Sequence, residues 1–148
     1  MSEYDKDSAV FIMTAPCGID CAACECARAA DNPAVMVYLI SRGIDASKLP
    51  CPGCRDVAGM CPAIGEECET YRCVREKEVD FCFDCAGFPC DKLTPAADRA
   101  NILPHNLKVY NLCVIQNRGL KEFTERSADI KERYYKGKMA VGKGPQTE

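Results

Sequence analysis

Cysteine dominates the chemistry open to this chain. Three C-x2-C pairs, Cys21/Cys24, Cys51/Cys54 and Cys82/Cys85, lie in separate stretches, with Cys17, Cys61, Cys68, Cys73 and Cys90 between and around them. Two residues between cysteines let a tight turn present both sulfurs to one ion, and two such turns complete a tetrahedral, all-sulfur zinc shell. The stretch "FCFDCAGFPC" (81–90) sets three thiols among phenylalanine, glycine and proline, and "CPGCR" (51–55) has the proline and glycine that favour such a turn. Small buried thiols are the bland reading, but a packed core has no use for x2 spacing in Pro/Gly loops. Thirteen cysteines in 148 residues signal either a disulfide scaffold or metal sites. The opening "MSEYDKDSAVFIMTAPCG" has no basic n-region and only a short apolar run at Ala9–Met13. No secretory signal is therefore expected, which points to a reducing cytoplasm and so to metal.

Spacing alone groups the ligands as follows. Cys51, Cys54, Cys82 and Cys85 form the first expected site, with 27 residues between its two turns, room for an inserted helix. A second draws on Cys17, Cys21, Cys24, Cys68, Cys73 and Cys90, and a third is added if Cys61 joins. The expectation is thus two zinc ions, or three. Cys24 and Cys26 would point to opposite faces of a helix over 20–31 and so should not share an ion. Cys113, between Leu112 and Val114, reads as core packing. Cys26 and Cys113 are expected to be dispensable for metal. His105 is the sole histidine, and in the first turn of a helix after Pro104 it could at most complete a three-thiolate shell.

The elements that must hold these sulfurs are short. The sequence predicts a helix over "DCAACECARAAD" (20–31), capped by Asp20, and another over 31–43, with Asn32 as cap, Pro33 at its first position and Gly43 as its stop. Residues 49–65 hold three prolines and three glycines and read as loop, 66–78 as a charged helix, and 81–90 as loop again. Two helices follow: 104–119, ended by Gly119, and 120–136, with Leu120, Phe123, Ile130 and Tyr134 on one face, able to pair as a hairpin. Residues 137–148 read as a loose tail. The fold class expected is an α-rich, irregular, small metal-binding fold, with zinc knuckles packed on short helices and a C-terminal helical pair. It forms a single domain over 1–148, with a cysteine-rich part (17–90), a helical part (104–136) and the tail.

The order of motifs, "CGIDCAAC", "CPGCR", "CETYRC" and "FCFDCAGFPC", resembles a prokaryotic family of small cysteine-rich proteins of unknown function to which zinc binding is ascribed. The resemblance spans about residues 17–123, more loosely in its helical part. It implies metal-ligand roles for Cys17, Cys21, Cys24, Cys51, Cys54, Cys68, Cys73, Cys82, Cys85 and Cys90. Gly65 departs from the pattern, since family members often carry cysteine three residues before the position of Cys68.

Rival chemistries find less support. Cys17-x3-Cys21-x2-Cys24 has the spacing that holds a [4Fe–4S] cluster in enzymes cleaving S-adenosylmethionine. Those enzymes need a large parallel barrel, for which this chain is too short, and Ala23 stands where such motifs place an aromatic. A redox protein or enzyme using a [4Fe–4S] cluster or a reactive zinc thiolate is the alternative, since four thiolates suit either metal. No phosphate-binding, dinucleotide-binding or nucleophile-elbow motif is present, nor a general acid/base set, so no enzyme is expected. Net charge is −3, and two four-thiolate zinc sites would carry it to about −7, which disfavours phosphate backbones. The basic run at 131–143 reads as solvated cations at a helix C-terminus. No apolar run approaches a membrane span. The function expected is therefore a zinc-stabilised binding or adaptor module for a protein partner.

Overall fold

A computed structural model describes residues 3–94 and 106–147. The element order is α1 (Ala9–Ile12), α2 (Glu25–Arg28), α3 (Pro33–Ser41), α4 (Glu69–Glu76), α5 (Leu107–Arg118), α6 (Leu120–Lys136), β1 (Lys138–Ala140) and β2 (Gly144–Gln146). One-turn 3-10 segments stand at Cys21–Ala23, Ala46–Lys48 and Cys82–Asp84. The protein is α-rich with one small two-stranded sheet among the described residues.

Local chemistry accounts for the longer helices. Asn32 accepts the N–H groups of Ala34 and Val35, and Pro33 starts α3 without a wasted donor. Asn106 caps α5 by accepting from Val109, while its amide group donates to the Leu93 carbonyl at 2.6 Å, tying the helix start to the end of the cysteine-rich part. Pro104 and His105 lie outside the described residues. A single residue, Gly119, joins α5 to α6 at φ +91°, a conformation that favours glycine.

The helical pair supplies the main core. Leu107, Leu112, Val114 and Ile115 of α5 meet Phe123 and Ile130 of α6, and Phe11, Phe81 and Leu93 join them from the cysteine-rich part. A smaller cluster of Cys26, Ala29 and Leu39 lies between α2 and α3, flanked by Val35, Met36, Ile44 and Leu49.

Two expectations about elements need correction. No continuous helix covers 20–31: Cys24 is extended at ψ 138°, separating the 3-10 turn before it from the one-turn α2 after it. Lys131 Nζ takes the Ala23 carbonyl at 2.7 Å, the acceptor that a continuous helix would give to the Ala27 N–H, and this tertiary bond overrides alanine's helix preference. The tail is not loose either. β1 and β2 pair antiparallel, with Met139 opposite Pro145, and the hairpin lies against α6.

Candidate metal centre

The first sulfur group is gathered by bends at each cysteine-bearing turn. In "CGID", Gly18 has φ +91°, and a Cβ there would stand 2.8 Å from the Lys108 carbonyl, so only glycine lets this turn lie on α5. The Asn111 amide fixes the contact by donating to the Gly18 carbonyl at 2.8 Å. Gly53 in "CPGC" has φ +109° and sits against Met13 and Ile12 in the same way. From the other side α6 braces the loop: Ser127 Oγ donates to Asp20 at 2.6 Å, and Lys131 Nζ donates to the Ala23 carbonyl and to Glu25. The Cys51 N–H donates to the Cys26 carbonyl at 2.9 Å, drawing the second turn beside the first.

At the centre of this group Cys21 Sγ and Cys54 Sγ are 3.6 Å apart. Cys61 lies within electrostatic reach of this pair. Cys21 and Cys61 together with burial push the Cys54 thiol far up, while Cys61, favoured by Cys54 and by the N–H groups of Ala63 and Ile64, drops to about 6. Cys21 is lowered by the same Cys54 contact. Cys24 falls to about 7, chiefly through Cys26, and Cys26 rises in return. Burial raises Cys51, which lies within electrostatic reach of Cys61, Cys21 and Cys24.

The second group sits at the other end of the cysteine-rich part. The Cys82 N–H donates to the Pro16 carbonyl at 3.0 Å and the Cys85 N–H to the Cys82 carbonyl at 3.2 Å, closing the turn. Cys85 Sγ accepts from Lys77 Nζ at 3.2 Å and from the Gly87 N–H at 3.3 Å, which together lower its pKa, the Gly87 bond leading. Burial pushes Cys82 up to about 12, with the charges of Cys17, Cys90, Cys73 and Cys85 adding to it.

Cys17 lies between the groups, its pKa raised by burial and its charge felt by Cys82 and Cys54. Cys68 precedes α4 and Cys73 lies within it, so the helix is shorter than the expected 66–78. Cys68 lines an open cleft of about 460 Å³ with Thr70, Lys92 and Lys108. Cys90 is exposed, and Cys113 is half-buried between the buried Leu112 and Val114 on α5.

The expected pairing of Cys51 and Cys54 with Cys82 and Cys85 therefore needs revision: Cys54 meets Cys21 instead. Cys24 and Cys26, expected on opposite faces of one helix, are not both within a helix, because the chain breaks at Cys24. Among the described residues no three His, Cys, Asp or Glu side chains are already arranged as a ligand shell. All thirteen cysteines are free thiols.

Two residues that sequence reasoning passed over hold the groups in place. Arg55, directly after "CPGC", donates through Nε to the Phe11 and Thr14 carbonyls (3.1 and 2.9 Å) and through an η nitrogen to the Asp80 carbonyl (2.9 Å). Its guanidinium lies 3.9 Å from the Phe11 ring centre and 4.9 Å from that of Phe81. Phe81 is fully buried and stacks on Phe83 at 5.2 Å. Phe83 and Phe88 of the same stretch are partly buried against the main core.

Fold and site define a small α-rich protein whose two thiol-lined loop regions are braced by a helical pair. The chain belongs to the family described as "Protein of unknown function (DUF3795)", whose profile matches residues 13–95. The match takes in every cysteine but Cys113 and stops short of α5 and α6, so it is narrower than the 17–123 resemblance read from the motifs. No curated protein and no solved structure matches the chain significantly.

Proposed function

We propose that the protein is a zinc-binding module with mainly structural metal sites, in which Cys21, Cys54 and Cys61 hold one ion and Cys24 or Cys51 completes the shell. The observation that carries this is the 3.6 Å contact between Cys21 Sγ and Cys54 Sγ. Zn–S bonds of about 2.3 Å in a tetrahedron put neighbouring sulfurs about 3.8 Å apart, so these two stand near ligand spacing. Backbone N–H groups two residues on favour the thiolates of Cys17, Cys24, Cys51, Cys61 and Cys85, as knuckle turns do. When bound, zinc would supply a cross-link between loops that have little secondary structure of their own. With four thiolates the shell is saturated and leaves no position for a substrate.

The remaining ligands of the sequence reading, Cys17, Cys68, Cys73, Cys82, Cys85 and Cys90, make at least a second ion the expected content. A binding or adaptor role toward a protein partner is supported by α3, which carries Val37, Tyr38 and Ile40 exposed on one short helix. Free thiols throughout suit a reducing compartment such as the cytoplasm. No helix among the described residues is long and apolar enough to cross a membrane. Elemental analysis of protein purified anaerobically without chelator tests the reading. Two zinc ions per chain are expected, with Cys54→Ser losing one, whereas less than one metal per chain, or a brown iron chromophore, would overturn it.

A further inference from the structure

Helix α3 is apolar all round, yet only one side of it is covered. None of its residues, Pro33–Ser41, carries a charge. Leu39 is buried with Cys26 and Ala29, and Val35 and Met36 pack beside it. The other side leaves Val37 68% exposed, Tyr38 55% and Ile40 45%, with Pro33 and Ala34 exposed as well. A helix apolar on every face is ordinarily buried. The other large apolar side chains exposed among the described residues, Val10, Met60, Ile64, Met139 and Val141, are spread over separate segments. The hydroxyl in this face is already satisfied, since Ser41 Oγ donates to the Tyr38 carbonyl at 2.6 Å, so covering it strands no donor. Charge stands only at the two ends. Asp31 precedes the helix and Arg42 follows it, both exposed, and neither forms an ion pair among the described residues. Val37, the most exposed of the three, lies near the midpoint between them.

We propose that α3 is a self-association surface, on which a second copy of this chain lays its own α3 antiparallel about a two-fold axis near Val37. This names the partner for the protein-binding reading of α3 and rests on that reading. Turning the helix end for end about Val37 sets Asp31 beside the partner's Arg42 and Arg42 beside the partner's Asp31, the self-complementarity that a two-fold interface requires. A parallel arrangement would set like charges together. At about 1.5 Å per residue the two charges stand roughly 16 Å apart on either copy, so both ends meet at a crossing angle near ~20°. The cluster beneath α3 has only Cys26, Ala29 and Leu39 fully buried, so the copy adds apolar burial where the chain has least. One helix face per partner is a small interface, under about 1,200 Å² in total, and predicts a weak dimer with a Kd of roughly 10 µM.

Sedimentation equilibrium of the zinc-loaded full chain, from about 1 to 300 µM and with zinc measured on the same samples, tests this. A monomer–dimer equilibrium is expected. Val37→Glu should abolish it without changing the circular dichroism spectrum or the zinc content, because Val37 is exposed. Asp31→Arg or Arg42→Asp alone should weaken the dimer roughly tenfold, by setting like charges together at both ends, and the two exchanged together should restore it. A parent that stays monomeric throughout, a dimer indifferent to Val37→Glu, or single reversals that the double exchange does not rescue would each overturn the inference. A monomer that captures a different protein, with capture lost in Val37→Glu, overturns it while keeping the protein-binding reading. A monomer that captures none overturns both. Zinc content is judged separately: a monomer with two zinc ions leaves the zinc reading intact.

Discussion

Arg55 shows how much one side chain outside the thiol pattern carries. Its guanidinium satisfies three carbonyls from two distant segments and lies over the rings of Phe11 and Phe81. Hydrogen bonds from a charged donor are worth about 1.5–3 kcal/mol net, and a partly desolvated cation–π contact adds about 1 kcal/mol. Truncation to Ala should therefore cost about 3 kcal/mol in urea denaturation of the metal-loaded protein. Arg55→Lys should recover only part of that, because an ammonium lacks the planar fork that spans those acceptors. An Arg55→Ala variant as stable as the parent would remove Arg55 from this account. At the same scale Cys113→Ala should leave the metal content unchanged and cost at most about 1 kcal/mol, since it deletes one small, half-buried side chain. A lower metal count in that variant would move Cys113 into the site. The sequence made the thiols legible because their spacing is itself chemical. Arg55 was not legible, because an arginine after a turn looks like any surface cation until the carbonyls around it are known.

Helix α6 does more than pair with α5. Its buried face runs Phe123, Ser127, Ile130, and the polar member of that series holds Asp20. Lys131, one residue past Ile130, reaches the Ala23 carbonyl at 2.7 Å and Glu25 at 2.9 Å. The "CGIDCAAC" loop is thus held by a helix more than a hundred residues away, beyond the reach of local propensity. This is why a helix over 20–31 was the natural reading and the wrong one. α3, α5 and α6 were legible because their caps (Asn32, Gly119) and their apolar periodicity are local signals. The short strands were not, being three residues each and showing no alternation, with a proline inside the second. Replacing Ser127 by Ala leaves Asp20 without its 2.6 Å donor, and adding Lys131→Met strips the second anchor. The double variant should keep its α5–α6 helicity by circular dichroism. Zinc at the Cys21 group should be released about several-fold faster, because the loop that presents its ligands loses its two anchors. Equal release rates in variant and parent would show that the loop shapes itself without α6.

Across the whole molecule the two clusters of buried side chains are unequal, and that decides what metal would hold. The main core joins the helical pair to Phe11, Phe81 and Leu93, so the turn at 81–90 is anchored by apolar contact as well as by any ion. The region from Cys21 to Cys68 has only Cys26, Ala29 and Leu39 fully buried in its own cluster. Burying a large apolar side chain yields about 1.5–3 kcal/mol, whereas ordering each residue costs about 1–2 kcal/mol of backbone entropy. Three side chains, two of them small, cannot offset the ordering of more than forty residues. Arg55 and the sulfurs must supply what is missing, and zinc sites contribute their binding energy directly to folding. The cysteine-rich part (17–90) is thus not one unit: the buried Phe81 divides it. Strong chelator under reducing conditions should therefore strip amide protection from about 21–68 while α5, α6 and the Phe81 turn stay protected. Far-UV circular dichroism should lose only the α2 and α3 share of helix. Heating the chelated protein should show a single transition belonging to the helical core, and the thiols of Cys21, Cys24, Cys51, Cys54 and Cys61 should react together with an alkylating reagent. If protection over 21–68 instead survived chelation, the metal would not be structural. If the whole chain lost protection in one step, the main core would depend on the sulfurs too, and the division at Phe81 would be wrong.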